Sequence, residues 1–155
     1  MAESTFSVQR SITVNAPAAA VHERINNFRK WVDWSPWEGL DPALQRTYTG
    51  PDAGVGTTYE WSGIRKVGQG RMEITESTPN RVALDLHFIK PFKANNKTVF
   101  ELAQAANDTT AVTWTMTGPK TVMSKLMGIF MSMEKFVGKD FDKGLASLKR
   151  VTESA

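Results

Sequence analysis

The feature that most restricts the fold lies toward the C-terminal end. From Thr121 to about Val151 the apolar residues Val122, Leu126, Ile129, Phe130, Met133, Phe136, Val137, Phe141, Leu145 and Leu148 recur at three- and four-residue steps. Lys125, Lys135, Lys139, Asp140, Asp142, Lys143 and Lys149 fill much of the opposite side. This spacing predicts one amphipathic helix, about 45 Å long at 1.5 Å per residue. A stripe of that length needs a partner surface, and most of the chain before it has the wrong period to be another helix.

That upstream region reads mainly as strands. Phe6, Val8, Ile12 and Val14 fall at even positions, a first half-buried strand. Asn15 is placed to cap a short helix over Pro17 to about Phe28, with Val21, Ile25 and Phe28 as its inward stripe. Trp31, Trp34, Pro36 and Trp37 suit a second short helix that breaks at Ser35. Six strands follow, at roughly Leu44–Thr49, Val55–Ser62, Lys66–Ser77, Arg81–Phe88, Lys97–Gln104 and Ala111–Thr117. Turn chemistry at Gly50-Pro51-Asp52, Gly63, Thr78-Pro79-Asn80, Asn95-Asn96 and Asn107-Asp108 separates them. The alternation is clearest where Val82, Leu84, Leu86 and Phe88 point one way and Arg81, Asp85 and His87 the other. The same reading turns Val55, Tyr59, Trp61, Met72, Ile74, Phe100, Leu102, Val112, Trp114 and Met116 inward. The expected fold is α+β: a curved seven-stranded antiparallel sheet around a long C-terminal helix, with two short helices after the first strand. No repeat or linker divides it, so residues 1–155 are expected to form a single domain.

Composition removes several functions. The 19 Lys and Arg are interleaved with 16 Asp and Glu, for a net charge of +3. Such mixing is a solvated surface rather than a basic stripe, so no nucleic-acid partner is expected. The chain has no cysteine and two isolated histidines, which supplies no metal ligand set, disulfide or thiolate nucleophile. The GPDAGVG segment lacks the lysine and following helix of a phosphate loop, and no cofactor is expected. The longest greasy stretch, VMSKLMGIFMSM, contains Lys125 and is too short to span a bilayer; the N-terminal residues show no apolar signal core. A cytoplasmic location without membrane insertion is the expectation.

A sheet bent around one helix leaves space between them, to be filled by side chains or by a guest. Met72, Met116, Met123, Met127, Met131 and Met133 line the predicted facing surfaces. Methionine adapts to variable contents, and serves equally as ordinary core filling. Gly128, Gly138 and Gly144 fall inside the helix, each costing about 1 kcal/mol relative to alanine. They call for curvature, close approach of a neighbour, or room for a ligand. By the penalty for engineered voids, an empty 300 Å³ cavity would cost about 7 kcal/mol. A typical domain has only about 5–15 kcal/mol in total. A cavity of that size is therefore filled, collapsed or open to solvent.

The order of strand, two short helices, six strands and long helix resembles the helix-grip fold of the START/Bet v 1-like (SRPBCC) superfamily. The runs FRKWVDWSPWEGLDP, TYTGPDAGVGTTYEW, GQGRMEITES, HFIKPF, VTWTMTG and KLMGIFMSMEKFVGKDFDKGL look like its bacterial polyketide cyclase/dehydrase-like subfamily. The likeness covers nearly the whole chain. It implies a pocket between sheet and helix, used in relatives for lipids, hormones, polyketides or other apolar molecules. It does not fix an activity, because one fold hosts many.

The expected function is therefore binding or carriage of a small hydrophobic molecule, such as a lipid, isoprenoid or polyketide. Trp31, Tyr59, Trp61, Met72, Phe88, Trp114, Met116, Met127, Phe130, Met131 and Glu134 are the expected lining. The alternative is a cyclase or dehydratase, whose chemistry needs a base or acid and a donor for a developing enolate oxygen. Its candidates are Glu134 or His87 acting with Tyr59. Glu134 sits at the edge of the helical stripe, either at the pocket rim or as a solvated flank beside Lys135 and Lys139. His87 alternates outward, and His22 is expected to face solvent. Trp31, Trp34 and Trp37 either plug one end of the interior or supply a lid, for which Trp31 is the better placed. A third reading is a protein-partner module pairing through a sheet edge.

Overall fold

The computed structural model describes residues 5–36, 43–63, 68–90, 94–119 and 133–154. Its strands are β1 (Thr5–Val14), β2 (Gln45–Thr49), β3 (Thr58–Ser62), β4 (Gln69–Thr78), β5 (Arg81–Lys90), β6 (Ala94–Gln104) and β7 (Thr110–Pro119). They form one antiparallel sheet in the order β1-β7-β6-β5-β4-β3-β2. Strands β2 to β7 run as a meander, and β1 joins beyond β7. Helix α1 (Ala18–Asn26) and a 3-10 turn (Phe28–Asp33) lie between β1 and β2, and helix α2 (Met133–Glu153) follows β7. The expected fold class is the one observed.

Register places the predicted alternation on one face. Val8 stands opposite Met116, Ile12 opposite Val112, Phe100 opposite both Val82 and Trp114, and Leu84 opposite Ile74. Val8, Ile74, Val82, Leu84, Phe100 and Val112 are buried. Helix α2 covers this face chiefly over β1, with α1 beside it. Phe141, Leu145 and Leu148 form its buried stripe. The predicted stretch from Thr121, with Met123, Met127, Gly128, Phe130 and Met131, lies outside the described residues, as do Trp37 and the Pro91-Phe92 of the HFIKPF segment.

Two of the helical glycines are explained by close approach. A Cβ at Gly144 would stand 2.9 Å from Pro36 Cδ and 3.0 Å from Trp114 Cζ3. At Gly138 it would meet the Arg10 guanidinium. At Gly144 the neighbours are rings, so the close approach requires glycine, whereas at Gly138 the neighbour is the end of a flexible side chain.

The structure departs from the expected boundaries for local reasons. Asn15 does not cap α1: Pro17 holds the cap position without a side-chain bond. Instead the Ala18 N–H donates to Gln104 Oε1 at 2.8 Å, and the Asn15 N–H donates to Glu153 Oε2 at 2.7 Å. A tertiary neighbour thus does the work of a local cap. Val55 is not inward but 58% exposed, because Gly54 and Gly56 adopt positive φ and delay β3 until Thr58. Asn95 and Asn96 are not a turn; they lie within β6, opposite His87 and Leu86.

Strand β4 carries the most consequential irregularity. Ile74 pairs with Leu84 but Glu76 pairs with Ala83, so Thr75 is an extra residue that reverses the alternation. Beyond this bulge the odd-numbered Ser77 shares a face with Val82. Ser77 Oγ there donates to Asn26 Oδ1 of α1 at 2.7 Å and lies 3.3 Å from His22 Nε2. His22 is accordingly half-buried rather than solvent-facing.

Candidate functional site

The concave face divides into a sealed half and an open half. In the sealed half the Trp31 Nε1–H donates to the Ile25 carbonyl at 2.8 Å and the Trp34 Nε1–H to the Arg24 carbonyl at 3.1 Å. Both indoles therefore spend their polar atoms on α1. Trp34 contacts Trp31 at 4.6 Å between centroids and meets Trp114 edge-on at 5.7 Å. Trp114 in turn stacks between Phe100 at 4.9 Å and Phe141 at 4.0 Å. These rings are all buried. Trp31 and Trp34 plug this end of the interior, and Trp114 is part of the same packed group.

The open half is read directly from strand register. Asn96, Leu86, Met72, Tyr59 and Tyr48 stand opposite one another in turn from β6 to β2, one continuous row across five strands. The next row contains Phe88, Gly70 and Trp61. Gly70 has no room for a Cβ because the Trp61 indole lies over it, with the His87 carbonyl oxygen 2.7 Å from that position. The indole stacks with Tyr59 at 6.0 Å and meets Phe88 edge-on at 6.0 Å. Met72 and Tyr59 are buried, whereas Tyr48, Trp61, Leu86 and Phe88 keep part of their surface in contact with solvent. Four large apolar groups on the inward face of a sheet are thus left incompletely covered, while the other half of that face is closed.

Four predicted lining residues, Tyr59, Trp61, Met72 and Phe88, meet in this open half. Met116 lies on the same face, between Val8 and Thr98. Trp31 and Trp114 belong to the sealed half. Glu134 falls in the first turn of α2, its side chain outside the described residues. His87 is in register with Arg71 and Asn95, one residue from the row, so the sheet separates it from Tyr59. Its Nδ1 lies 2.6 Å from Asn95 Oδ1. The described strand residues of the concave face include no carboxylate and no imidazole.

Asn96, Tyr48 and Leu86 were not among the expected lining. Continuing the alternation of Phe100 and Leu102 backward through Thr98 reaches Asn96, but the Asn-Asn pair carries a strong turn signal that interrupts that reading. Asn96 is 5% exposed, and among the described residues neither its Oδ1 nor its Nδ2 has a hydrogen-bond partner.

Away from this face, His22 has its pKa lowered from 6.5, mainly by burial, with a backbone hydrogen bond to Thr78 acting in the opposite direction. His22, Ser77 and Asn26 tie α1 to the end of β4. Among the described residues no group of three His, Cys, Asp or Glu side chains is arranged to hold a metal, and no helix is long and apolar enough to cross a membrane.

A meandering sheet, a first strand that returns to its far edge, and a C-terminal helix laid across the concave face define a helix-grip domain. Solved structures share it. The chain superposes on a hypothetical protein from Helicobacter pylori with a TM-score of 0.70 at 10% identity, covering 95% of this chain and 88% of that one. It matches the Aha1 dimer from Colwellia psychrerythraea at 0.66 and 16%, covering 96% of each. DynU16, a putative protein in the dynemicin biosynthetic locus, matches at 0.64 and 17%, covering 95% of this chain and 47% of that one. No curated protein matches the sequence. The family model described as polyketide cyclase / dehydrase and lipid transport matches residues 5–153. The chain belongs to that family.

Proposed function

We propose that the protein binds or carries a small hydrophobic molecule between the concave face of its sheet and the C-terminal helix. The carrying observation is the incompletely covered inner face: Tyr48 and Leu86 in one row and Trp61 and Phe88 in the next point inward yet retain solvent contact. Leaving large apolar side chains half-wet forfeits about 25 cal/mol for every Å² not buried, a cost that a bound apolar molecule recovers. The family description, which joins polyketide cyclases and dehydrases with lipid transport, supports the same ligand chemistry. The absence of a carboxylate or imidazole from the described strand residues of that face favours binding over acid–base chemistry from the sheet.

Native mass spectrometry of freshly purified protein tests the reading. An adduct of lipid, isoprenoid or polyketide mass, displaced by added apolar ligands, is the expected result. A protein that emerges empty and whose melting temperature no member of an apolar library raises does not have this function.

A further inference from the structure

We infer that Asn96 is the ligand's polar anchor, and that the molecule bound is an uncharged oxygenated one, entering with a carbonyl or hydroxyl group foremost. The inference rests on the binding function proposed above and specifies its ligand class. Asparagine is depleted from strands, and a buried carboxamide is normally hydrogen-bonded. Asn96 breaks both rules at once. It occupies an inward position of β6, flanked along the strand by Thr98 and across it by Leu86, and it leaves an acceptor and a donor unused. A leucine of similar size would fill the same place without desolvating a polar group. An idle donor–acceptor pair on an inner face whose apolar residues are incompletely covered is the pattern of a recognition group whose partner arrives with the ligand.

The position also gives a length and a charge. Asn96 and Tyr59 share a row and are three inter-strand steps apart, ~14 Å along the sheet at ~4.8 Å per step. A ligand with its oxygen at Asn96 therefore lays its apolar body over Leu86 and Met72 and reaches Tyr59 and the half-exposed Trp61. Leu86, opposite Asn96, and the Thr98–Met116 pair of the adjacent row carry no cation. A carboxylate placed there would lose its hydration without a counter-charge, so a ketone or alcohol is favoured over an acid.

Three matched probes separate the possibilities: 2-acetylnaphthalene, 2-ethylnaphthalene and 2-naphthoate, titrated calorimetrically into the wild-type protein and Asn96→Leu. The wild type is expected to bind the ketone about tenfold more tightly than the ethyl isostere and to bind the carboxylate most weakly. Asn96→Leu should lose the preference for the ketone, keep its affinity for the ethyl compound, and melt ~2–6 °C higher than the wild type. Equal wild-type affinity for ketone and ethyl compound overturns the role of Asn96 and leaves the binding function standing, a result that needs no variant. A lower melting temperature with the ketone preference intact assigns Asn96 a structural role and also overturns it. Failure of all three probes and an empty native mass spectrum overturn both.

Discussion

The Trp114 indole lies face to face on the Phe141 ring, with 4.0 Å between centroids and 7° between planes. One residue comes from β7, next to the edge strand β1, and the other from α2, so this pair fastens the helix to the face it covers. Both are almost wholly buried. Phe141→Ala should lower the unfolding free energy by about 3–5 kcal/mol in urea titrations, as expected for truncating a fully packed aromatic. Phe141→Leu should cost less, and neither should change the affinity of a ligand held over Trp61. A change of less than 1 kcal/mol for Phe141→Ala would contradict the stacking.

The two helical glycines predict opposite outcomes for the same substitution. At Gly144 the obstacles are the Trp114 ring and the Pro36 ring, neither free to move, so Gly144→Ala should destabilise by about 1–3 kcal/mol despite the better helix propensity. At Gly138 the obstacle is the flexible end of Arg10, which holds Asp142 at 3.4 Å across an exposed ion pair. Such pairs contribute little, so Gly138→Ala should be neutral or gain up to about 1 kcal/mol. Chemical denaturation of the two variants side by side decides the matter.

Trp61 is half-exposed and sits over Gly70 at the edge of the open row. Trp61→Ala should therefore weaken apolar ligand binding by at least tenfold while costing the empty protein about 1 kcal/mol or less. If affinity is unchanged in titrations with an apolar probe, the ligand does not pass over this indole.

Stability should also depend on the proton at His22. Burial lowers its pKa in the folded chain below 6.5, its value when unfolded. Between the folded pKa and 6.5 the unfolded chain binds the proton and the folded chain does not, so stability is complete above pH 6.5 and is lost as the pH falls toward the folded pKa. Denaturation midpoints measured from about pH 7.5 to 5.5 should fall for the wild type and change less for His22→Gln. A parallel fall in both would place the titration elsewhere.

The fold was legible wherever one period persisted. Val82 to Phe88 and Phe141 to Leu148 each keep a single period over several residues, and both are found where that pattern placed them. What escaped depended on contacts distant in sequence. Gln104, on β6, binds the first turn of α1 in place of Asn15, and no local rule could supply that. His22 was expected in solvent because its partner Ser77 turns inward only through the bulge. Asn96 was hidden by a turn preference that strand pairing overrides, and the open row became visible only once register joined five strands.

The extra residue at Thr75 has a consequence for how this chain can vary in length. Upstream of it β4 turns even-numbered residues to the concave face; downstream it turns the odd-numbered Ser77 to α1. Deleting Thr75 would remove the bulge and let Ile74, Glu76 and Ser77 pair one-to-one with Leu84, Ala83 and Val82, with Glu76 still outward and Ser77 still beneath α1. An insertion among Pro51, Asp52 and Ala53 displaces only exposed chain, and a residue lost at Thr75 is absorbed by the bulge, whereas a residue lost elsewhere in β4 exchanges two surfaces, so Thr75 is where this strand tolerates a change of count.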